Sequence, residues 1–253
     1  MRVGIVTVAF NSASTILDTL ESVARQDHSD IEHIVIDGGS SDGTADLVRS
    51  VGGRVSKFVT EPDAGIYDAM NKGLRLCTGD IIGFLNSDDM YSSERSVSAI
   101  VAAFADGDVD AVHGDLVYVR RDDPGSVVRH WKATPFSPGA FSRAWCPAHP
   151  TFYVRRSVLE RTGLFNTSYK VASDLDFMLR VLELGHANSK VVPQVLVRMR
   201  MGGVSNNSVR GIFRQNAEVI AAIRSHGLSV STPIFAIAKI FRRLPQFVSR
   251  PRW

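Results

Sequence analysis

The stretch Gly79-Asp-Ile-Ile-Gly-Phe-Leu-Asn-Ser-Asp-Asp-Met90 indicates how this chain folds. Ile81 to Leu85 is a short apolar run typical of a buried strand, and two adjacent carboxylates, Asp88 and Asp89, follow it. Ligands of open α/β sheets bind outside the carboxyl ends of the strands, so these acids are expected at a binding rim. Such a pair can hold a hard divalent cation that shares its other positions with water and substrate phosphates. The alternative is a turn at residues 86–89 that caps the following helix.

The segments before this stretch alternate between strands and helices. Apolar, largely β-branched runs predict strands at residues 3–8, 32–37 and 55–59. Apolar residues at helical spacing predict helices from Ile16 to Ala24, over 44–49 and over 65–77. Because parallel strands are joined by crossover helices, this alternation predicts an α/β fold with a mainly parallel sheet flanked by helices.

The second half of the chain has a different pattern. Strands are predicted at residues 111–119, 127–131, 151–154 and 191–197, with helices at 157–162 and 174–184. Residues 135–150 are rich in proline, aromatic and small side chains, which predicts a loop over the site. Two further helices are predicted near residues 208–226 and 233–248. The second half therefore departs from the βαβ pattern and ends in helices.

Composition places the chain among ordinary globular proteins. Its 253 residues are 44% hydrophobic, which is enough for a sizeable core in one large domain or two small ones. Cys77 and Cys146 lie far apart and are expected to be free thiols in a reducing compartment. The apolar residues 1–10 are too short for a signal peptide, and no apolar run is long enough to span a membrane. A cytoplasmic location is therefore expected.

Charge is distributed unevenly along the sequence. The whole chain carries a formal net charge of +3, but no acidic residue follows Glu218. The segment after it contains six basic residues, namely Arg224, Lys239, Arg242, Arg243, Arg250 and Arg252. Residues 1–218 therefore hold 23 basic and 26 acidic groups, a net charge of −3. This asymmetry predicts a basic tail, over residues 206–253, that meets an anionic surface.

The end of this tail also has an amphipathic pattern. Apolar residues recur at three- and four-residue steps at Ile234, Ile237, Phe241 and Leu244, and basic residues lie on another side. A basic helix that contains aromatic residues can lie in the headgroup region of an anionic bilayer. The alternative is a terminal helix that packs on the domain itself or on a second subunit, which would make a homodimer.

Further polar residues follow a second strand and a helix start. Asp37 ends the second predicted strand at the rim that Asp88 shares, where it can accept a hydrogen bond from a nucleobase or ribose. The alternative for Asp37 is an Asx turn into the glycines that follow. A cluster at the third helix start suits phosphate binding by N-terminal amides, and it comprises Asp63, Tyr67, Asp68, Asn71 and Lys72. The alternative for Asp63 is a helix cap.

Three residues of the second half are candidates for chemistry. His149 precedes a proline in an apolar and aromatic stretch, where it is either a group of the site loop or a structural histidine. Asp174 and Asp176 open a helix with an apolar interior. Ser173 and Asp176 could form a capping box, while Asp174 could face the cleft and remove a proton from an acceptor hydroxyl.

Six segments, in this order, resemble the inverting family 2 glycosyltransferases, especially the bacterial branch that builds O-antigen, capsule and exopolysaccharide. The segments are TVAFN (7–11), VIDGGSSDGT (35–44), EPDAGIYDAMNKG (61–73), GDIIGFLNSDD (79–89), HPTFY (149–153) and SDLDF (173–177). The resemblance covers about residues 1–205 and implies a GT-A fold. Residues 1–110 would bind the nucleotide sugar, and residues 111–205 would bind the acceptor and carry the base.

The resemblance also implies roles for individual residues. Asp174 becomes the catalytic base, Asp88 becomes the metal ligand with Asp89 beside it, and the metal is Mn²⁺ or Mg²⁺. His149 and Asp176 belong to the acceptor side or the site loop. Nucleotide-sugar contacts are expected from Thr7, Ala9, Asn11, Asp37, Asp63, Asp68, Asn71, Asn86 and Ser87. The chain departs from the family pattern at Asn86, where an acid is common, at Ser173, where Glu is common, and at Met70, where many relatives have arginine.

We therefore expect a metal-dependent inverting glycosyltransferase of the hexosyltransferase type. Its donor would be a nucleoside diphosphate sugar, UDP-linked in the first instance, and its acceptor a glycan or lipid-linked hydroxyl in cell-surface polysaccharide or glycolipid biosynthesis. The enzyme would lie at the inner face of the cell membrane, and no nucleic-acid partner is expected. The alternatives are a non-catalytic subunit that binds sugar nucleotides and a nucleotide-sugar hydrolase on the same fold.

Overall fold

The computed structural model describes residues 1–51, 54–202 and 209–248. These residues form nine strands: β1 (Val3–Ala9), β2 (Ile31–Asp37), β3 (Val55–Thr60), β4 (Ile81–Phe84), β5 (Asp89–Tyr91), β6 (Ala111–Val119), β7 (Val127–Trp131), β8 (Tyr153–Arg155) and β9 (Ser189–Arg200). They also form eight α-helices: α1 (Ile16–Ala24), α2 (Thr44–Val51), α3 (Ile66–Leu76), α4 (Ser96–Ala103), α5 (Arg156–Thr162), α6 (Ser173–Leu179), α7 (Val209–Ser225) and α8 (Thr232–Arg243). A π-turn, Arg180–Leu184, continues α6, and a 3₁₀ turn, Leu244–Phe247, continues α8.

One sheet contains all of these strands, and its first half is parallel. The strand order is β3-β2-β1-β4-β8-β6-β9-β5, and β7 pairs with β6. β1 runs parallel to β2 on one side and to β4 on the other, and β2 runs parallel to β3. The α/β fold with βαβ units that the sequence predicts is thus confirmed. The carboxyl ends of the four parallel strands meet at one edge of the sheet.

The second half of the sheet mixes both strand directions. β8 pairs antiparallel with β4 and with β6, while β6 and β9 run parallel. β5 was not expected from the sequence, because three residues are too short to give a strand pattern. It pairs antiparallel with the end of β9, with Asp89 opposite Met199. The turn at residues 86–89 is present, since the Asp89 N–H donates to the Asn86 carbonyl at 3.0 Å, but it does not cap a helix, because α4 begins only at Ser96 and has no side-chain cap.

Apolar side chains fill both faces of the sheet, as the continuous apolar strands predict. On one face Val6, Val8 and Ile36 pack with α3, α6 and α7. On the other face Val3, Ile5 and Ile81 pack with α4 and Tyr153. Tyr153 lies flat against the backbone of β4, because a Cβ at Gly83 would come within 2.3 Å of its ring. The strand that leads to Asp88 is therefore held from both sides.

The two C-terminal helices pack differently. α7 buries Val219, Ile220, Ala222 and Ile223 in the core beside α6. α8 buries Phe235, and Arg242 at its end donates a hydrogen bond from Nε to the Arg143 carbonyl at 3.0 Å. The predicted boundary between residues 205 and 206 lies outside the described residues. Within the described ranges, no helix is both long and apolar enough to cross a bilayer.

Candidate active site

The carboxyl edge of the parallel strands brings distant segments of the chain together. Ala9 at the end of β1 pairs with Asp37 at the end of β2, and the N–H of Gly38 donates to the Ala9 carbonyl at 2.9 Å. Beyond β4, the N–H of Ser87 donates to the Val8 carbonyl at 3.3 Å. Ser87 also shares a 2.8 Å hydroxyl contact with Ser12. Four of the predicted nucleotide-sugar residues thus lie at one edge or next to it, namely Ala9, Asn11, Asp37 and Ser87.

Asp37 is fully buried and hydrogen-bonded at this edge. Its Oδ2 accepts from the Thr60 hydroxyl at 2.6 Å and from the Ser40 N–H at 3.1 Å, and its Oδ1 accepts from the Ser40 hydroxyl. The Asx-type turn considered from the sequence is therefore present. It fixes the loop after β2, and a nucleotide contact from Asp37 stays a prediction.

An exposed aromatic residue next to this loop was missed by the sequence analysis. The Phe10 side chain is 64% exposed, although it directly follows the buried strand β1. A Cβ at Gly38 would lie 3.3 Å from the Phe10 ring and 2.3 Å from Asp63 Oδ2. Phe10, Gly38 and Asp63 therefore form a small open surface at the strand ends. The signal in the sequence was an aromatic residue that breaks a β-branched run at its carboxyl end.

The adjacent acids after β4 occupy different environments. Asp88 is half-buried, and burial raises the pKa of its carboxyl. Asp89 is fully buried, and burial first and the Asp88 charge second raise its pKa well above the usual range. Neither carboxylate oxygen of Asp89 makes a hydrogen bond of good geometry within the described chain, although the nearby backbone N–H and charge of Arg200 lower its pKa in part. Burying an ionised carboxylate in this state costs free energy of folding unless a positive charge or a hydrogen-bond donor pairs with it.

Arg200 supplies part of the positive charge at this position. It lies at the end of β9, is 4% exposed, and donates from Nη1 to the Asp88 carbonyl at 3.2 Å. Its Nη2 contacts the Asp18 carboxylate. No local pattern in the sequence predicts the contacts of Arg200, because its partners lie 112 and 182 residues away. Arg200 therefore ties β5 to α1 and offsets part of the negative charge of the two acids.

The acid pair fits a divalent cation only together with an external ligand. Among the described residues, no group of three or more histidine, cysteine or acidic side chains could hold a metal by itself. The unpartnered oxygens of Asp89 and the unpartnered Oδ1 of Asn86 are nevertheless oxygen donors of the kind that Mg²⁺ and Mn²⁺ take. Such ions bind through one or two carboxylates and complete their coordination with substrate phosphates and water.

Asp174 lies in the first turn of α6, beside aromatic side chains. Its Oδ1 accepts from the Tyr67 hydroxyl at 3.4 Å and from the Leu175 N–H at 2.8 Å. Tyr67 stacks on Phe165, with 5.8 Å between the ring centroids. Ser173 is not a helix cap as the capping-box alternative proposed, since Ala172 is the N-cap and the Ser173 hydroxyl has no partner. Asp174 is half-buried, and its Oδ2 accepts no hydrogen bond from the residues that the structure describes.

His149 lies at the end of the predicted site loop, residues 135–150, and is part of a buried aromatic cluster. It stacks on Phe84 at 5.2 Å between centroids and meets the edge of Phe165 at 5.8 Å. Burial lowers the pKa of the imidazole, so the neutral form is favoured. Its Nε2 is buried without a hydrogen-bond partner. His149 therefore connects the end of β4 with the Tyr67 and Asp174 side of the cleft.

Two predicted site residues, Thr7 and Asn71, have structural contacts. Thr7 is buried, and its hydroxyl contacts His33 Nε2 at 2.9 Å, while burial lowers the pKa of His33 to about 4. Asn71 is buried, and both ends of its amide bind the backbone of Phe165, at 2.9 and 3.0 Å. The side chains of Thr7 and Asn71 thus support the edge of the sheet from within, and nucleotide contacts from these two residues stay predictions.

Asp176 also differs from its predicted place in the site. It is 2% exposed and accepts from Arg180 Nε at 2.9 Å and from His226 Nε2 at 2.7 Å. Arg180 in turn donates to the carbonyls of Thr162 and Leu164. Asp176 therefore joins α6 to the end of α7, and it points away from Asp174 because successive helix positions lie on different faces.

The acids before α3 hold their own loop. Asp63 accepts from the Gly65 N–H at 2.8 Å, and Asp68 accepts from the Ala64 N–H at 3.1 Å. Gly65, and not Asp63, is the N-cap of α3, with φ of 120°. Lys72 Nζ fastens the same loop by contacts of 2.8 Å to Glu61 and 2.9 Å to the Pro62 carbonyl. Nucleotide contacts from Asp63 and Asp68 stay predictions.

The family model "Glycosyl transferase family 2" matches residues 4–163. This match covers β1 to β8 and the whole carboxyl edge described above. The chain belongs to glycosyl transferase family 2. It is accordingly an enzyme of the glycosyltransferase type, and the resemblance inferred from the six sequence segments is confirmed.

Named relatives and solved structures agree with the family and the fold. A PGL/p-HBAD biosynthesis glycosyltransferase of Mycobacterium bovis (strain BCG) is 27% identical over 251 residues, covering 97% of this chain and 92% of that protein. An uncharacterized glycosyltransferase of Mycobacterium tuberculosis is 31% identical over 187 residues, covering 70% of this chain and 68% of that protein. Mannosyltransferase PcManGT from Pyrobaculum calidifontis, solved with GDP-Man and Mn²⁺, superposes with a TM-score of 0.68 at 23% identity, covering 96% and 70% of the two chains.

A second solved structure gives a similar superposition. Staphylococcus aureus TarS in complex with UDP-GlcNAc matches with a TM-score of 0.67 at 17% identity, covering 97% of this chain and 73% of that one. At this identity the likeness establishes the architecture, and the chain has the GT-A fold that the sequence predicts. The mixed sheet with a parallel half and flanking helices is that fold.

The environment of Asp89 predicts an unusual pH dependence of stability. Because its pKa is raised on folding, the folded protein binds a proton more tightly than the unfolded chain, and stability falls as pH rises. With a chelator present, Asp89→Asn should therefore gain stability relative to the wild type as the pH rises from about 4, the ordinary pKa of Asp, to neutrality. Thermal unfolding of both proteins across that range measures this difference. Asp46→Asn, at an exposed position on α2, should show no such change, and a parallel response of Asp89→Asn and wild type would contradict the assignment.

Proposed function

We propose that the chain is a metal-dependent, inverting glycosyltransferase that uses a nucleoside diphosphate sugar. The observation that carries the proposal is the buried Asp89 carboxylate, whose oxygens lack a well-formed hydrogen bond among the described residues and which lies beside Asp88 at the carboxyl end of the parallel strands. Nucleotides bind at this edge in open α/β sheets, and a diphosphate would complete a cation held by these acids. A hydroxyl acceptor would then enter on the Asp174 side.

The donor nucleotide would lie over the loops after β1 and β2. The exposed Phe10 ring offers a flat apolar surface for a base, and Asp37 and Asp63 supply carboxylates close by. PcManGT was solved with GDP-Man and TarS with UDP-GlcNAc, which supports a nucleoside diphosphate sugar as the class of donor. We propose a UDP-sugar first.

Asp88 and Asp89 are the residues that would hold Mn²⁺ or Mg²⁺, with the Asn86 amide oxygen nearby. When bound, the cation would neutralise the negative charge that builds on the leaving diphosphate. Arg200 would fix the segment that carries both acids, because it contacts the Asp88 carbonyl and also the Asp18 carboxylate on α1. PcManGT was solved with Mn²⁺, which supports this choice of ion.

Asp174 would act as the general base. Its Oδ2 would take the proton of an acceptor hydroxyl while that oxygen attacks the anomeric carbon from the face opposite the diphosphate. The bond from this carbon to the diphosphate oxygen breaks, and the configuration is inverted. Tyr67 orients the carboxylate through Oδ1, and burial raises the pKa of its phenol, so it stays a hydrogen-bond donor. The Phe165 and His149 rings exclude water from the base.

The acceptor would reach the site at a membrane surface. Along α8 and its 3₁₀ turn, a stripe of apolar side chains is more than half exposed, comprising Ile234, Ile237, Ile240, Phe241, Leu244, Phe247 and Val248. Arg242 and Arg243 end the helix, and no acidic residue follows Glu218. An apolar face with basic ends fits an anionic bilayer. We propose that α8 holds the enzyme at the inner face of the membrane, beside a lipid-linked glycan acceptor.

Replacing the base should remove transfer and leave the fold intact. Asp174→Asn keeps the acceptor oxygen for Tyr67 and Leu175 but cannot take a proton, so transfer should fall by roughly 10² or more. Donor binding should stay nearly unchanged. The matched control is Asp176→Asn, which weakens the contacts to Arg180 and His226 and should lower the melting temperature. Transfer at the wild-type rate by Asp174→Asn would exclude this residue as the base, and donor turnover that needs no acceptor would indicate a hydrolase.

Replacing the metal ligand should uncouple nucleotide binding from the metal. We expect UDP to bind the wild type at least about tenfold more tightly with Mn²⁺ than without it, a difference of about 1.4 kcal/mol. Asp88→Ala should lose this difference, since only one carboxylate remains. Calorimetric titration with UDP, with Mn²⁺ and with a chelator, measures both proteins, and Asp46→Ala is the surface control. An equal metal effect in Asp88→Ala and wild type would contradict the role of Asp88.

Charging the exposed face of α8 should abolish membrane binding. The full-length protein should sediment with phosphatidylglycerol vesicles at low salt, and the double variant Ile237→Glu with Phe241→Glu should stay in the supernatant. Both side chains are exposed, at 56% and 69%, so the fold and UDP binding should survive. Leu184→Glu, a substitution at another exposed apolar position, should bind vesicles as the wild type does. If the wild type itself ignores these vesicles, α8 is a packing or dimer element.

A further inference from the structure

Three basic side chains converge beside the cleft. Arg129 lies on β7, and Lys239 and Arg243 lie four residues apart on α8, so the latter two share one face of the helix. We call these three residues the basic cluster. The 3₁₀ turn after α8 folds back against β7, which brings the two elements together.

Arg129 is fixed in place by the turn and by aromatic rings. Its guanidinium lies 4.5 Å from the Tyr118 ring centroid and 5.7 Å from those of Trp131 and Phe247. Its Nε donates to the Gln246 side chain, and Gln246 donates to the Arg242 carbonyl at 3.0 Å. Arg129 is therefore a rigid, half-buried cation, and its orientation does not depend on an acidic partner.

Lys239 contributes the ammonium group of the cluster. It is half-buried and contacts the Asn216 side chain on α7. Burial first, and the charge of Arg243 second, lower its pKa to about 8. The like charge of Arg243 also lowers the pKa of Arg129, after burial. The charge of Arg243 thus disfavours the charged forms of both Lys239 and Arg129.

No ion pair among the described residues offsets this repulsion. Within the described part of the chain, none of the three cations forms an ion pair: Arg129 and Lys239 bind neutral amides, and Arg243 lies exposed near both. Like charges at four-residue spacing destabilise a helix, and burial adds to the cost. A cluster of this kind, kept without acids, has the electrostatics of a site for an anionic group.

The sheet register places the basic cluster on the same side as the acids. Tyr118 pairs with Arg129 on one side and with Met199 on the other, and Met199 pairs with Asp89. Directly opposed residues in a sheet point to the same face, so Asp89, Tyr118 and Arg129 share one face. Three strand spacings separate Asp89 from Arg129, about 14 Å between their backbones.

Asp174 is also close to the cluster. Burial raises the pKa of the Cys146 thiol well above its usual range, the Asp174 charge raises it further, and Lys239 lowers it. The Cys146 thiol is therefore within reach of the charges of both Asp174 and Lys239. An anion bound by the cluster would lie on the side of the cleft where the proposed base is found.

We propose that Arg129, Lys239 and Arg243 form a phosphate-binding site for the acceptor, which places a phosphorylated acceptor hydroxyl at Asp174. The inference rests on the proposed function and deepens it. A diphosphate held at Asp88 and Asp89 spans only a few ångströms. The backbones of Asp89 and Arg129 are about 14 Å apart, so we assign the cluster to a second phosphate. Guanidinium and ammonium groups are the donors that phosphate oxygens accept most strongly. The acceptor class is thus a lipid-linked phosphate or diphosphate ester.

Arg243→Glu tests the proposal because two measurements should move in opposite directions. The new carboxylate would pair with Arg129 and Lys239, so the melting temperature should rise. Octyl phosphate, added with saturating UDP and Mn²⁺, should bind at least about tenfold more weakly than it binds the wild type. Octyl glucoside is the uncharged control ligand, and Arg161→Glu, on α5, is the control variant. UDP binding with Mn²⁺ should be the same in all three proteins.

Each contrary result has a distinct meaning. Equal octyl phosphate binding in wild type and Arg243→Glu would overturn the proposal. Displacement of octyl phosphate by UDP and Mn²⁺ would assign the cluster to the donor, which also overturns it. If octyl phosphate does not bind but Arg243→Glu loses binding to phosphatidylglycerol vesicles, the cluster serves lipid headgroups and the proposal is wrong. Failure of the wild type to bind UDP would contradict the proposed function, whereas octyl phosphate titrated alone still tests the cluster.

Discussion

The parallel pairing of β1 with β2 and β4 is the constraint on which the rest of the structure depends. Its register sets Ala9 beside Asp37 and carries the chain after β4 past Val8 to Ser87. Residues separated by up to about eighty positions thus meet at one edge. The helices that cross between these strands bury their apolar faces on the sheet, so hydrophobic packing holds the polar edge in place. The loops at the edge can then be short and still well positioned.

The second constraint is electrostatic, and it works against stability. In the described part of the chain, Asp89 is buried without a well-formed hydrogen bond, and the cations beside Tyr118 form no ion pair. Both arrangements cost free energy in the isolated chain. Opposite charges on one face of the sheet, held apart by Met199 and Tyr118, cannot neutralise each other directly. The fold therefore separates negative from positive charge across the cleft. A cation bound at the acids and an anion bound at the basic side chains would each lower this electrostatic free energy.

The sequence predicts the strands and helices of this molecule better than its side-chain contacts. Apolar periodicity and strand ends locate Asp37, Asp88 and Asp174, since these depend on local pattern. β5 and Arg200 escaped prediction because a three-residue strand has no period and because the partners of Arg200 are remote in sequence. Thr7, Asn71 and Asp176 belong to family segments, yet they face the interior. A motif shows which residues are near a site, but side-chain direction and distant partners decide which ones can touch a ligand.

The contact of Asp176 with both Arg180 and His226 has a consequence for how this fold can be recombined. The first turn of α6 carries Asp174, and two residues later the same turn is fastened to the end of α7. A chimaera that takes residues 173–184 from one relative and α7 from another would break a buried carboxylate contact and displace the adjacent acid. Exchange between relatives is therefore expected to succeed when residues 173–226 move as one unit. The C-terminal helices are therefore expected to be exchanged together with the proposed base, Asp174, although the family match ends before them at residue 163.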